Sequence, residues 1–123
     1  MFDDWTQRYE YIIDLGKNLP VINDRFKTPD NIIKGCQSKV WLYAEYINNK
    51  LIFTADSDAI ITKGIIAILI RVFSNQSPKD IVDAKADFIE EIGLKQHLSQ
   101  TRANGLSSMI KQIKLYAVGY LNK

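Results

Sequence analysis

A chain of 123 residues with 46% hydrophobic residues is long enough for one compact core, so we expect a single domain over residues 1–123. Its 16 basic and 14 acidic residues are interspersed and give a net charge of +2, which does not indicate a nucleic-acid partner. The longest strongly apolar run, residues 64–70, is far shorter than the roughly 20 residues of a membrane span, so no membrane partner is expected.

The first predicted element is an amphipathic helix over residues 3–17. Apolar side chains recur at helical spacing from Trp5 to Ile13, and Gly16 stands near the end of the pattern. Residues 18–31 are rich in proline, asparagine and aspartate, which favours turns and extended backbone. This segment is predicted to be a loop that leads to the only cysteine.

Two runs with alternating apolar residues predict an antiparallel hairpin. They cover residues 40–46 and 51–55, and Asn48 and Asn49 between them tolerate the backbone of a tight turn. Residues 31–34 are expected to add a short third strand before the cysteine.

The longest apolar stretch predicts a helix from about Asp58 to Phe73. It is apolar nearly all round, which is typical of a buried, central helix. The side chains of Asp56, Ser57 and Asp58 could supply capping oxygens at its start.

Further helices follow. Ser77-Pro78-Lys79-Asp80 has a capping residue and a proline at the first helical position, so a short helix should begin there. A second short helix is expected around residues 88–92, and a C-terminal helix should start near Thr101. The predicted fold class is therefore α+β, with a small antiparallel sheet of about three strands covered by helices.

Cys36 is the main candidate for chemistry because it is the only cysteine. It either packs as a small hydrophobic residue or reacts. Gly35 before it indicates a loop, and the charges of Lys34 and Lys39 favour the reactive thiolate. One cysteine and one histidine are too few for a structural zinc site, so no metal site is expected. An unpaired cysteine and the absence of a recognisable signal peptide predict a cytoplasmic protein.

Other polar residues leave alternatives open. His97 is the only histidine, so a thiol enzyme with a Cys36–His97 dyad is formally possible. Asp56 and Asp58 could be paired carboxylates, but their place before a helix favours capping. Arg102 lies in the first turn of a predicted helix, where a cation is unfavourable, which hints at a role outside helix stability.

Three motifs resemble those of the SufE family of sulfur-acceptor proteins, which includes the CsdE proteins. They are Gly35-Cys36-Gln37-Ser38 with Val40-Trp41, Asp56-Ser57-Asp58-Ala59 with Lys63-Gly64, and His97-Leu98-Ser99 with Thr101-Arg102 and Gly105-Leu106. They occur in the family's order and, with Tyr11–Gly16 and Leu19-Pro20, cover almost the whole chain. One departure is Gln100, where the family commonly has proline, and it should affect only the start of the last helix.

This resemblance implies a fold like that of SufE and the IscU scaffolds. It also implies a non-enzymatic carrier that takes sulfur from a SufS-type or CsdA-type cysteine desulfurase, stimulates that enzyme, and relays the sulfur to a SufBCD-type iron–sulfur scaffold complex. The resemblance further implies that this chain has no cofactor of its own, because the pyridoxal phosphate needed for desulfuration belongs to the partner. A CsdE-like carrier that serves another sulfur pathway is the alternative.

The resemblance assigns the acceptor role to Cys36, within a loop that contains Gly35, Gln37 and Ser38. The Cys36 thiolate would attack the terminal sulfur of the donor persulfide, as in thiol–disulfide exchange. Because a persulfide is easily lost to other thiols, we expect the Cys36 side chain to be largely shielded in the isolated protein.

Four more residues match family positions. Asp58 is expected to influence how the cysteine loop is held, and Arg102 to contact the desulfurase. Lys63 and His97 are expected to act in partner binding or loop positioning.

Overall fold

The computed structural model describes residues 4–36, 38–84 and 100–121. Within these ranges the chain has the predicted α+β architecture, a two-stranded sheet with helices. The elements are α1 (Asp4–Lys17), two short 3-10 helices (Asp24–Phe26 and Pro29–Asn31), β1 (Val40–Ile47), β2 (Lys50–Ser57), α2 (Ile60–Phe73), α3 (Pro78–Asp83) and α4 (Gln100–Gly119). The helix predicted around residues 88–92 lies outside the described residues.

Two local features are as predicted. The strands β1 and β2 pair antiparallel along their whole length. The turn between them places Asn48 and Asn49 at φ values of 52° and 66°, a conformation that asparagine tolerates better than most residues. Helix α3 starts with Pro78, and the Ser77 side chain accepts a hydrogen bond of 3.2 Å from the backbone N–H of Asp80.

The third strand predicted before the cysteine is wrong for the described residues. Only a single antiparallel bridge forms, between Ile32 and Trp41. The backbone N–H of Ile33 donates to the carbonyl oxygen of Val40 at 2.8 Å. Pairing does not continue because the chain turns at Gly35, whose φ of 92° is incompatible with a strand.

The core lies between one face of the hairpin and the helices α2 and α4. Helix α2 is buried along most of its length, as its apolar sequence predicted. The fully or nearly fully buried side chains include Val40, Leu42, Leu51 and Phe53 from the hairpin, Ile65, Ile66, Leu69 and Phe73 from α2, and Leu106, Met109, Ile113 and Ala117 from α4.

Helices α1 and α2 cross with their backbones in contact. A Cβ atom on Gly64 would overlap the carbonyl oxygen of Ile12, and one on Gly16 would lie 2.9 Å from the backbone nitrogen of Gly64. Both glycines are therefore required by the close approach of the two helices.

The long loop between α1 and β1 carries the chain from one edge of the hairpin to the other. At the β2 edge, the N–H of Ile22 donates to the carbonyl oxygen of Ala55 at 3.0 Å. The loop then covers the face of the hairpin opposite to the core, where the Phe26 ring stacks on Tyr43 with 3.9 Å between centroids. It reaches the β1 edge at Ile33, immediately before the cysteine.

Tyr116 joins α4 to this part of the fold. Its hydroxyl donates a hydrogen bond of 3.0 Å to the carbonyl oxygen of Leu42 and lies 3.3 Å from the side-chain oxygen of Asn31. Burial raises the pKa of Tyr116, which keeps the hydroxyl protonated as a donor. This contact fixes α4 against the strand that follows the cysteine.

Candidate functional site

Cys36 lies in a short connection between Ile33 and Val40, which we call the cysteine loop (residues 34–39). The hydrogen bond between Ile33 and Val40 closes the loop at its base. The Cys36 side chain is half-buried, and its Sγ lies 3.6 Å from the carbonyl oxygen of Gly105 in α4, within the range of a weak S–H donor. The thiol therefore faces a helix and is only partly open to solvent.

The cysteine loop meets α4 at two glycines. A Cβ atom on Gly105 would be 3.4 Å from the Sγ of Cys36. On the loop side, a Cβ atom on Gly35 would be only 2.5 Å from Oγ of Ser108. The Ser108 hydroxyl donates to the carbonyl oxygen of Asn104 at 3.0 Å, so it remains on the helix. We call this surface, formed by Gly105 and Ser108, the α4 contact.

Burial raises the pKa of the Cys36 thiol. The expectation that Lys34 and Lys39 favour the thiolate is thus wrong for this conformation. Both lysines are exposed to solvent, where their charges are screened, and desolvation of the thiol is the dominant effect. While it lies on α4, Cys36 is held in the protonated, less nucleophilic form.

Asp58 lies at the end of the cysteine loop and not at the start of a helix. Its Oδ1 accepts a hydrogen bond of 3.1 Å from the N–H of Lys39, and its own N–H donates to the carbonyl oxygen of Lys39 at 3.3 Å. The Ser57 hydroxyl donates to the same carbonyl oxygen at 2.9 Å. These bonds attach Lys39 to the end of β2.

The capping role predicted for the aspartates is therefore wrong. Helix α2 begins at Ile60, and Ala59 before it provides no side-chain cap. Asp56 and Asp58 instead bind groups from other parts of the chain. Only the Ser57 hydroxyl comes near a capping role, since it accepts from the N–H of Ala59 at 3.2 Å.

Asp56, near the end of β2, is the centre of an ion cluster. Its Oδ2 lies 2.6 Å from Nζ of Lys27, and its Oδ1 lies 3.4 Å from Nζ of Lys63. The Lys27 ammonium also lies 5.5 Å from the ring centroid of Trp41, within cation–π range. The cluster joins the long loop, β2 and α2.

The ionisation of this cluster follows from its contacts. Partial burial alone would raise the pKa of Asp56, but the hydrogen bonds from Lys27 and from the N–H of Ser57, with the charges of Lys63 and Lys27, hold it below its ordinary value. The hydrogen bond to Asp56 raises the pKa of Lys27. Asp56 is thus a structural ion-pair partner, and the reading of Asp56 and Asp58 as paired catalytic carboxylates is not supported.

The family model described as SufE, Fe-S metabolism associated domain, matches residues 1–117 of the chain. The chain belongs to the SufE family. An uncharacterized SufE-like protein of Rhizobium meliloti (strain 1021) is 43% identical over 124 residues, which cover 97% of this chain and 89% of the relative. One of Rhizobium etli is 40% identical over 117 residues, which cover 91% and 79%.

A solved structure supports the fold. The solution structure of a hypothetical protein from Thermus thermophilus matches with a TM-score of 0.78, and the match covers 96% of this chain and 87% of that one. At 16% identity this likeness shows the fold alone. The resemblance to the SufE family drawn from the motifs is therefore confirmed by the family model and the relatives.

The structure brings together some of the predicted SufE site residues. Cys36, Gly35 and Ser38 lie in the cysteine loop, with Asp58 at its end. Lys63 contacts Asp56 in the ion cluster. The roles assigned to these residues stay predictions.

Other predicted site residues are not placed. Gln37 and His97 lie outside the described residues, so the Cys36–His97 dyad stays a prediction. The backbone of Arg102 belongs to the first turn of α4, one helical turn before Gly105, while its side chain is outside the description.

Three residues at the site, Gly105, Ser108 and Lys27, have no role that the sequence predicts. A glycine inside a predicted helix is a usable signal for Gly105, because glycine weakens a helix and so indicates a packing or functional reason. Ser108 and Lys27 offered no such signal, since both types are common on surfaces.

Neither a metal site nor a membrane span is found in the described part of the chain. Across residues 4–36, 38–84 and 100–121, no group of at least three His, Cys, Asp or Glu side chains is arranged to hold a metal ion. None of the helices in the same ranges has the length and apolar character that crossing a membrane requires.

Proposed function

We propose that this chain accepts sulfane sulfur on Cys36 from a cysteine desulfurase, stimulates that enzyme, and passes the sulfur to iron–sulfur cluster assembly. Membership of the SufE family supports a sulfur-acceptor role in Fe–S metabolism. The observation that carries the proposal is the position of the only cysteine, half-buried in a loop that rests on α4. The donor is a SufS-type or CsdA-type desulfurase, and the recipient a SufBCD-type scaffold complex.

The proposed transfer is an exchange between sulfur atoms. The Cys36 thiol first loses its proton to solvent, and the thiolate attacks the terminal sulfur of the donor persulfide. A bond forms between Sγ of Cys36 and that sulfur, while the bond to the donor cysteine breaks and its electron pair leaves with the donor thiolate. No net oxidation or reduction occurs, and the pyridoxal phosphate that generates the donor persulfide remains with the partner.

The raised pKa of the Cys36 thiol supports a transfer in which the thiol reacts only after the cysteine loop has moved. On α4 the thiol is protonated and partly shielded, so attack requires the loop to leave the α4 contact. An open surface groove of about 460 Å³ lies next to the cysteine loop, and Lys34 and Ser108 are among the residues that line it. We propose that docking of the desulfurase, with Arg102 as a contact and with Lys63 and His97 in supporting roles, exposes Cys36 for transfer.

Mass spectrometry of the protein after incubation with a desulfurase and cysteine tests this function. We expect the peptide that contains Cys36 to gain the mass of one sulfur atom, and the Cys36→Ser variant to gain nothing. No gain in the wild-type protein contradicts the proposal. Stimulation of the desulfurase that survives Cys36→Ser would instead support an interaction module in which Cys36 only packs.

The thiol-enzyme alternative is separated by His97→Ala. A carrier with this substitution should still take up sulfur, whereas a Cys36–His97 enzyme should lose nearly all activity. Circular dichroism of the variant controls for folding.

A further inference from the structure

The backbone at Gly105 leaves open a position beside the thiol. A Cβ atom built there would lie 3.4 Å from Sγ and 3.8 Å from both Cα and Cβ of Cys36. These three are its nearest neighbours beyond the adjoining part of α4 among the described residues, so the side of Gly105 that lacks a side chain faces the cysteine.

Neither helix geometry nor the free thiol accounts for glycine at this position. Gly105 lies inside α4, has no positive φ, and weakens the helix relative to alanine. A Cβ atom 3.4 Å from Sγ would be at the short limit of ordinary van der Waals contact, so alanine could lie beside the unmodified Cys36 after a small adjustment of the loop. The unmodified thiol alone therefore makes only a weak demand for glycine at residue 105.

We propose that Gly105 is a positioning residue that leaves room for the terminal sulfur of a Cys36 persulfide. This inference rests on the proposed function and deepens it. The added sulfur is bonded at about 2.05 Å from Sγ, so it extends well beyond the thiol. An alanine methyl group at residue 105 would fill part of the volume through which that sulfur turns about the Cβ–Sγ bond.

The consequence concerns protection of the cargo. With glycine at residue 105, the loaded loop can return to the α4 contact, where the persulfide is partly shielded from other thiols. With alanine, the unloaded loop still fits, but the loaded loop is held away from α4. Glycine at residue 105 would thus let both the free thiol and the bulkier persulfide lie on α4, whereas alanine would admit only the thiol.

Gly105→Ala tests this inference, and Gly119→Ala is the matched control. Gly119 is in the same helix, and a Cβ atom there would meet none of the described residues outside its own part of the helix within 4 Å. Each protein is loaded with a cysteine desulfurase and cysteine, purified, and exposed to dithiothreitol, and the remaining persulfide is followed by mass spectrometry. In parallel, alkylation of the unloaded Cys36 by iodoacetamide is timed.

We expect the Gly105→Ala persulfide to be lost at least tenfold faster than that of wild type or of Gly119→Ala. The rate at which the unloaded thiol is alkylated should stay within about twofold of the wild-type rate in both variants. Persulfide lifetimes that agree within twofold would overturn the inference. A parallel rise in alkylation would also overturn it, because Gly105 would then accommodate the thiol and not the added sulfur.

A second measurement uses the wild-type protein and does not depend on the variant folding. In ¹⁵N-labelled protein, the amide resonance of Gly105 should shift on loading while that of Gly119 stays in place. An unchanged Gly105 resonance in fully loaded protein would contradict the inference. If wild type acquires no persulfide, the proposed function itself fails, which separates the two results.

Discussion

The N–H of Lys39 donates a hydrogen bond of 3.1 Å to Oδ1 of Asp58, and this bond fixes the far end of the cysteine loop. The near end is fixed by the bond from Ile33 to Val40. Between these two attachments, Cys36 packs against the edge of the hydrophobic core and lies beside Gly105 of α4. The loop is thus anchored at both ends, with its reactive residue half-buried between them.

Asp58→Ala should loosen the loop. It removes the acceptor for the Lys39 N–H, and a hydrogen bond of this kind contributes about 1 kcal/mol, so Cys36 alkylation should become roughly fivefold faster. Asp58→Asn keeps an oxygen acceptor at the same position and should stay within about twofold of wild type. Equal rates for Asp58→Ala and wild type, measured with iodoacetamide at one pH, would contradict the positioning role.

Asp56→Asn should destabilise the fold by about 2 kcal/mol near neutral pH, because it weakens a charge-assisted hydrogen bond to Lys27. The folded state holds the Asp56 pKa below its ordinary value of 3.8, so its ionised form stabilises the fold fully above that value. This stabilisation is lost as the pH falls through the lower, folded pKa.

Thermal melts over a range of pH measure this effect. The difference in Tm between wild type and Asp56→Asn should be constant between about pH 6 and pH 8 and should shrink below about pH 4. A difference that grows towards acid pH would show that Asp56 is not held ionised by Lys27 and Lys63.

Patterns within short stretches of sequence predicted most of the described elements. The alternation on both sides of Asn48-Asn49 gave the hairpin, and Ser77-Pro78 gave the start of α3, because each depends on neighbours in the chain. The all-round apolar character of α2 likewise predicted its burial. Gly35 and the start of the predicted strand at Val40 likewise indicated a loop at Cys36.

Contacts between distant residues were beyond such patterns. Asp56 and Asp58 precede a helix, which favours capping, but Lys27, 29 residues before Asp56, and the Lys39 backbone, 19 residues before Asp58, offered stronger partners. The contact of Cys36 with Gly105 spans 69 residues. The burial of Cys36 raises the pKa of the thiol in spite of the positive charges of the nearby lysines. No local sequence motif predicts that burial.

Gly64→Ala should destabilise the protein by about 3 kcal/mol or more, because the added methyl group would overlap the carbonyl oxygen of Ile12 and force α1 away from α2. Gly119→Ala adds the same group at a point where, in the described part of the chain, no residue outside the adjoining helix lies within 4 Å, and it should leave the free energy of unfolding close to that of wild type. Urea denaturation of the three proteins provides the measurement. A Gly64→Ala variant as stable as wild type would rule out the close helix crossing.

The reactivity of Cys36 should depend on pH in a way that reports its burial. Because burial raises its pKa above the ordinary value of 9.0, the midpoint of the alkylation rate against pH should be higher in the folded protein than in urea-unfolded protein. Asp58→Ala, which loosens the loop by removing one hydrogen bond, should move the folded midpoint part of the way towards the unfolded one. A folded midpoint at or below the unfolded one would mean that the nearby lysines, and not desolvation, govern the thiol.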